Sequence, residues 1–118
     1  MTQLVAILGT GKGSWSHVAK LMRQGDFEET ILITNDFGKD KFTAETDVSL
    51  VVVDFSAPVH ALQDTLLREL RPKIKGTQVA LNMISGGGPE HMALLSALLN
   101  IGVGIRLVMG GEDAFEEL

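Results

Sequence analysis

Residues 4–34 read LVAILGTGKGSWSHVAKLMRQGDFEETILIT, and this stretch decides the fold. Leu4 to Leu8 is a continuous apolar run ending at Gly9. A run without alternation is the pattern of a strand buried on both faces. Trp15, Val18, Ala19 and Met22 then recur at helical spacing, with Ser14 in the capping place and Gly25 as the stop; this predicts a helix over Ser14 to Gln24. Thr30 to Thr34 (TILIT) is a second apolar strand. A strand, a crossover helix and another strand make a right-handed βαβ unit with parallel strands.

The alternation continues outward. Val48 to Val53 (VSLVVV) is rich in β-branched residues and reads as the third strand. Pro58 falls in the first turn of the next helix, with Ser56 as its expected cap. That helix carries Leu62, Leu66, Leu67 and Leu70 and stops near Pro72 and Gly76. Gln78 to Leu81 is the fourth strand, Pro89 opens a helix over about Glu90 to Leu99, and Val103 to Val108 is the fifth strand. Asn35 to Asp47 shows no clean period, and a short helix over Lys39 to Thr43 would complete the alternation. The tail, Glu112 to Leu118, is expected to form a helical turn. The expected architecture is one Rossmann-like α/β domain over residues 1–118. It is a three-layer sandwich around a mainly parallel five-stranded sheet, in the order 3-2-1-4-5.

Bulk properties narrow the function. The net charge of −5 argues against an extended nucleic-acid surface, though not against a small phosphate ligand held by backbone amides. The chain has no cysteine, so neither a disulfide nor a thiolate metal site is available. No basic region precedes the apolar run at Leu4, so no signal peptide is expected and cytoplasmic residence is the default. The longest apolar stretch, Met92 to Met109, is interrupted by Asn100, Gly102, Gly104 and Arg106. It falls short of the roughly 20 apolar residues of a bilayer span and reads as a buried helix followed by a buried strand.

Open parallel sheets bind ligands beyond the carboxyl ends of their strands, where the strand order reverses. In the expected order, strands one and four are neighbours at that point, and a glycine-rich turn follows each. Gly9, Thr10, Gly11, Lys12, Gly13 and Ser14 form the first turn; Asn82, Ser85, Gly86, Gly87 and Gly88 belong to the second. Glycines let backbone amides approach a phosphate, and the following helix directs its N-terminus at the anion. The alternative for each is a turn without a ligand, its glycines serving positive φ angles. Two nucleotide motifs come close and miss. G-x-G-x-x-G would need glycine at Ser14, with Asp36 as the acidic partner; the P-loop pattern would need glycine at Ala6.

The segment VALNMISGGGPEHMALLSALLNIG resembles the strand, glycine turn and helix of CRISPR-associated Rossmann fold (CARF) domains. LVAILGTGKGSWSHVAKLM followed by TILITND is similar to their first strand, turn, helix and second strand. The resemblance implies a homodimer that binds a cyclic oligoadenylate across its two-fold axis, with Gly9, Thr10, Gly11, Lys12, Ser14, Ser85, Gly86, Gly87 and Gly88 on the ligand. The chain departs from the family at the second turn, where Gly88-Pro89 stands in place of a Thr-Lys pair and acidic Glu90 follows, so the family's lysine is absent.

Other residues are weaker candidates. His17 and His91 lie near the turns, whereas His60 decorates a helix face. Asp36 and Asp54 end adjacent strands, where they bind Mg²⁺, act as bases or cap the next helix. Trp15 either stacks on a base or packs in the core. No metal site is expected, because no paired histidine spacing occurs. No serine lies in a nucleophile-elbow context, so catalysis would rest on Lys12, His91 or the serines. The expected ligand is a phosphate-containing nucleotide, with no cofactor identified and a homodimer inferred from the aliphatic helices. The alternatives are a ligand-free interaction module and, behind it, a ring-opening nuclease or an NAD(P)- or ATP-binding protein.

Overall fold

The computed structural model describes residues 2–9, 12–41 and 47–118, apart from the side chains of 12–14 and 40–41. The elements run β1 (Thr2–Ile7), α1 (Lys12–Gln24), β2 (Phe27–Thr34), α2 (Asp36–Lys41), β3 (Val48–Val52), α3 (Val59–Leu70), β4 (Gln78–Asn82), α4 (Gly88–Ile101), β5 (Gly104–Met109) and β6 (Glu116–Glu117). The sheet order is β3-β2-β1-β4-β5-β6. All neighbours pair in parallel except β5 and β6. The Rossmann-like α/β architecture and the order of the first five strands are as the sequence predicts.

The unbroken apolar runs follow from the two-residue period of a strand with helices on both faces. Leu4, Ala6 and Leu8 face α1, packing with its Val18 and Leu21. Val5 and Ile7 face the other way, toward Leu62, Leu66 and Leu70 of α3 and Ala93, Leu94, Ala97 and Leu98 of α4. Burying each leucine in this layer stabilises the fold by roughly 1.5–3 kcal/mol. The α1 stripe is shifted from its predicted position: Leu21 is buried, while Ala19 and Met22 are only half-buried.

Several expectations are corrected. The sheet has six strands, because the tail forms β6 rather than a helical turn. Met109 and Val108 pair with Glu116 and Glu117, and Phe115 packs on Phe27 at a ring separation of 5.6 Å. The free edge of β5 and the Phe27 ring therefore outweigh a local helical preference. β5 is not a buried strand: only its Val108 is buried, with Ile105 and Met109 half-buried and the other three residues exposed. The short helix α2 starts earlier than Lys39, because the Asn35 side chain accepts the Gly38 N–H at 2.9 Å and caps it at Asp36; residues 42–43 lie outside the described residues. Ser56 does not cap α3. Its N–H and hydroxyl both donate to Asp54 Oδ1, and Pro58 occupies the cap position. No helix among the described residues is long and apolar enough to cross a membrane.

Candidate functional site

Because β1 pairs with both β2 and β4, the strand order reverses at β1, and the turns after β1 and β4 emerge side by side at the carboxyl edge. They touch through their backbones. The Gly9 N–H donates to Ser85 Oγ at 2.7 Å. A Cβ added at Gly9 would stand 2.9 Å from the Gly86 nitrogen and 3.0 Å from its Cα. Gly86 itself has φ +95°, where an L side chain is strained. Two of the glycines thus have reasons within the fold: Gly9 for close approach, Gly86 for a left-handed turn.

The second turn is tightly held. Ser85 is buried, its carbonyl accepts a hydrogen bond from His91 Nε2 at 3.0 Å, and its hydroxyl holds Gly9. The Glu90 carboxylate accepts the Gly87 N–H. Glu90 therefore occupies the electropositive start of α4 as an internal anion. Asn82, also buried, donates from Nδ2 to the Val108 carbonyl at 2.8 Å and accepts the Ile84 N–H at 3.2 Å. Its amide ties the end of β4 both to β5 and to the start of the β4–α4 turn. Gly88 differs from its neighbours: a Cβ there would meet nothing within 4 Å, and its φ is not positive.

The first turn leads into α1, which begins at Lys12 and has no acidic residue in its first turn. Thr10 and Gly11 lie outside the described residues, as do the side chains of Lys12 and Ser14 and the side-chain environment of Gly13. The half-buried Trp15 indole donates from Nε1 to the Gly9 carbonyl, so Trp15 is both part of the α1 core and a brace on the turn.

The other polar candidates are distributed around this centre. His17 Nε2 accepts the Gly110 N–H at 3.3 Å, and Gln24 brackets Gly111 through its carbonyl and amide. Both anchor the β5–β6 loop to α1, an anchoring the sequence did not reveal because its partners lie 87 or more residues away. His60 is exposed, beside Val59 and Met92 on the outer face of α3 and α4. Asp36 and Asp54 end β2 and β3 on the same edge, and Asp54 is held below the ordinary carboxylate range by the Ser56 hydroxyl and then the Ser56 N–H. Among the described residues no three His, Asp or Glu side chains converge on a point that could hold a metal ion. The sequence matches no protein-family model, and no curated protein is significantly similar to it.

Proposed function

We propose that the chain binds the phosphate of a nucleotide at the β1–α1 turn, with the β4–α4 turn as the facing wall, and that it works as a cytoplasmic homodimer. The observation that carries this reading is the convergence of two glycine-rich turns, in backbone contact, at the point where the strand order reverses. The two helix starts differ in charge. α4 carries Glu90 in its first turn, and α1 carries no carboxylate there. An anion approaching the pair is therefore drawn toward α1. Gly88 adds support, since the fold gives no reason for a glycine there and a ligand approaching the backbone supplies one. The homodimer is supported by Met92 and Leu99, which are 67% and 65% exposed on a helix that is apolar nearly all round. In its CARF-like form, two copies would share one cyclic oligoadenylate, and direct contact with the Gly87 amide would need the Glu90 carboxylate to swing away.

One observation favours a ligand-free interaction module instead: the start of α4 already holds an anion of its own. Two experiments separate the readings. Mass spectrometry of small molecules released from the purified protein identifies a co-purifying nucleotide. Calorimetry against cyclic oligoadenylates, NAD(P) and ATP then measures affinity in wild type and in Gly11→Val, Gly88→Val and Lys12→Ala. The glycine variants are expected to abolish binding with little change in melting temperature. Lys12→Ala is expected to weaken it by roughly 1.5–3 kcal/mol through loss of a charge-assisted bond. Unchanged affinity in all three moves the site away from these turns, and no binding across the panel supports the interaction module.

A further inference from the structure

The outer face of α4 is apolar and uncovered. Ala93, Leu94, Ala97 and Leu98 are buried in the core shared with α3, whereas Met92 and Leu99 stand in solvent and Leu95 between them is half-buried. Met92, Leu95 and Leu99 recur at three and four residues, the spacing of a seam between two helices packed along their length. From Met92 to Ile101 the helix carries no charge, while α1 carries Lys20 and Arg23 and α3 carries Asp64, Arg68 and Glu69. Charge is divided between the two ends of the α3–α4 layer. Both helices run from the carboxyl edge of the sheet to its amino edge, since each returns the chain to a parallel strand. At the starting end stand Asp54, just before α3, and Glu90, in the first turn of α4. At the other end Arg68, Arg71, Lys73 and Lys75 outnumber Glu69.

We infer that α4 packs antiparallel on α4 of a second copy, about a two-fold axis at Leu95, with Met92 of each copy on Leu99 of the other. The inference rests on the homodimer reading and adds to it an interface and a direction. A second copy is the occupant that this face selects. An uncharged apolar seam meets itself without repulsion, although the chain carries −5 overall. Turning one copy over the other lays the basic end of each layer beside the acidic end of its partner, whereas a parallel pairing sets like ends together. The seam alone is small. A helix of 14 residues is about 21 Å long and presents a strip about 10 Å wide. That is roughly a quarter of the ~800 Å² that a stable interface takes from each partner. Val59 and Leu107, 43% and 42% exposed, extend it on either flank. Val59 of α3 shares a groove with Met92, and Ile105, on the same face of β5 as Leu107, packs in the α3–α4 core. The expected dimer is therefore weak, with a Kd in the micromolar range. In this pairing the two β1–α1 turns lie at opposite ends of the dimer, so each copy holds its own ligand and no molecule is shared across the axis.

The chain has no cysteine, so single cysteines report the seam. Met92→Cys and Leu99→Cys are oxidised at high micromolar concentration, each alone and as an equimolar mixture, and disulfide dimers are read on a non-reducing gel. The mixture is expected to cross-link and each variant alone to stay largely uncross-linked, because a disulfide needs Cα atoms about 5.5–6 Å apart. Leu95→Cys, on the axis, should cross-link alone. Sedimentation of Arg71→Glu reads the direction independently, since Arg71 is exposed and lies outside the seam. At low salt its dimer should be about two- to fivefold weaker than wild type, and added salt should erase the difference. Cross-linking of Met92→Cys alone, or an unchanged or tighter Arg71→Glu dimer, overturns the antiparallel seam and leaves the homodimer reading standing. A wild-type dimer that none of the cysteines cross-links puts the interface on another face, with the same consequence. A wild-type monomer at this concentration removes both.

Discussion

The Gly9 amide donates to the Ser85 hydroxyl at 2.7 Å, a buried bond between residues 76 apart in sequence. It makes the two glycine turns one structural unit, so that a change in either moves the other. Ser85→Ala leaves the Gly9 N–H without this acceptor and is expected to cost about 1–3 kcal/mol in urea unfolding. Gly9→Ala drives a Cβ against the backbone of Gly86 and should cost at least as much, because a backbone atom cannot rotate away. Wild-type stability in both variants would show that the turns are energetically independent.

Glu90 is where stability and the proposed anion site make opposite demands. Removing the carboxylate in Glu90→Ala frees the Gly87 amide and is expected to lower stability by about 0.5–2 kcal/mol, as for loss of a helix cap. The same change removes a negative charge from the facing turn, so affinity for inorganic pyrophosphate should rise. Thermal melts and calorimetry on one preparation read both effects. A fall in both quantities would place Glu90 among the ligand-holding groups.

Asn82 separates structural from ligand-binding roles at the end of β4. Asp at this position loses the donor to the Val108 carbonyl and buries a charge, so Asn82→Asp should destabilise by about 1–3 kcal/mol or more, even with no ligand present. A variant of unchanged stability that binds nucleotide weakly would support Asn82 as a ligand-binding residue.

The β6 tail carries a pH dependence of known sign. The Arg106 guanidinium hydrogen-bonds Glu117 and lowers its pKa below the ordinary glutamate value. A depressed folded pKa contributes stability above the unfolded value, about pH 4.3, and that contribution is lost as the pH falls through the lower folded value. Arg106, whose pKa is raised, stays charged throughout this range. The Leu118 N–H, bonded to the Leu107 carbonyl at 2.9 Å, reports tail pairing by hydrogen exchange. Its protection should fall as the pH drops below about 5 in wild type and stay nearly flat in Glu117→Gln. Both groups are exposed, so added salt should shrink the difference. Identical profiles would mean that the pair contributes nothing to tail pairing.

The homodimer has a direct test on α4. Light scattering at high micromolar concentration is expected to give a dimer for wild type and a monomer of unchanged helical content for Met92→Glu or Leu99→Glu. A wild-type monomer under those conditions removes the homodimer.

The chain's layer architecture was readable from sequence, because strands covered on both faces must be apolar at every position. Leu4 to Leu8 meets that demand throughout and Ile31 to Ile33 meets it at the centre of the second run, whereas Val48 to Val53, on the edge strand, admits Ser49 and leaves Val52 exposed. The convergence of the two glycine turns also followed, since right-handed crossovers leave β1 and β4 adjacent with their carboxyl ends aligned. The start of α4 carried a local signal: a glutamate three residues after the cap position marks Glu90 as the group that closes it. Other features had no local signature. Glu116 and Glu117 have no strand pattern, and the open edge of β5, the ring of Phe27 and the Arg106 guanidinium hold them as β6. The glycines of the second turn look alike in sequence, yet a left-handed φ requires Gly86 and nothing in the fold requires Gly88. The buried Gln3 amide donates to Glu29 and Lys73 and accepts from Lys75, contacts that exist only once distant segments meet. Periodicity is a property of neighbouring residues and survives in the sequence. The partner of a buried hydrogen bond is chosen by the folded chain, so only tertiary structure could decide it.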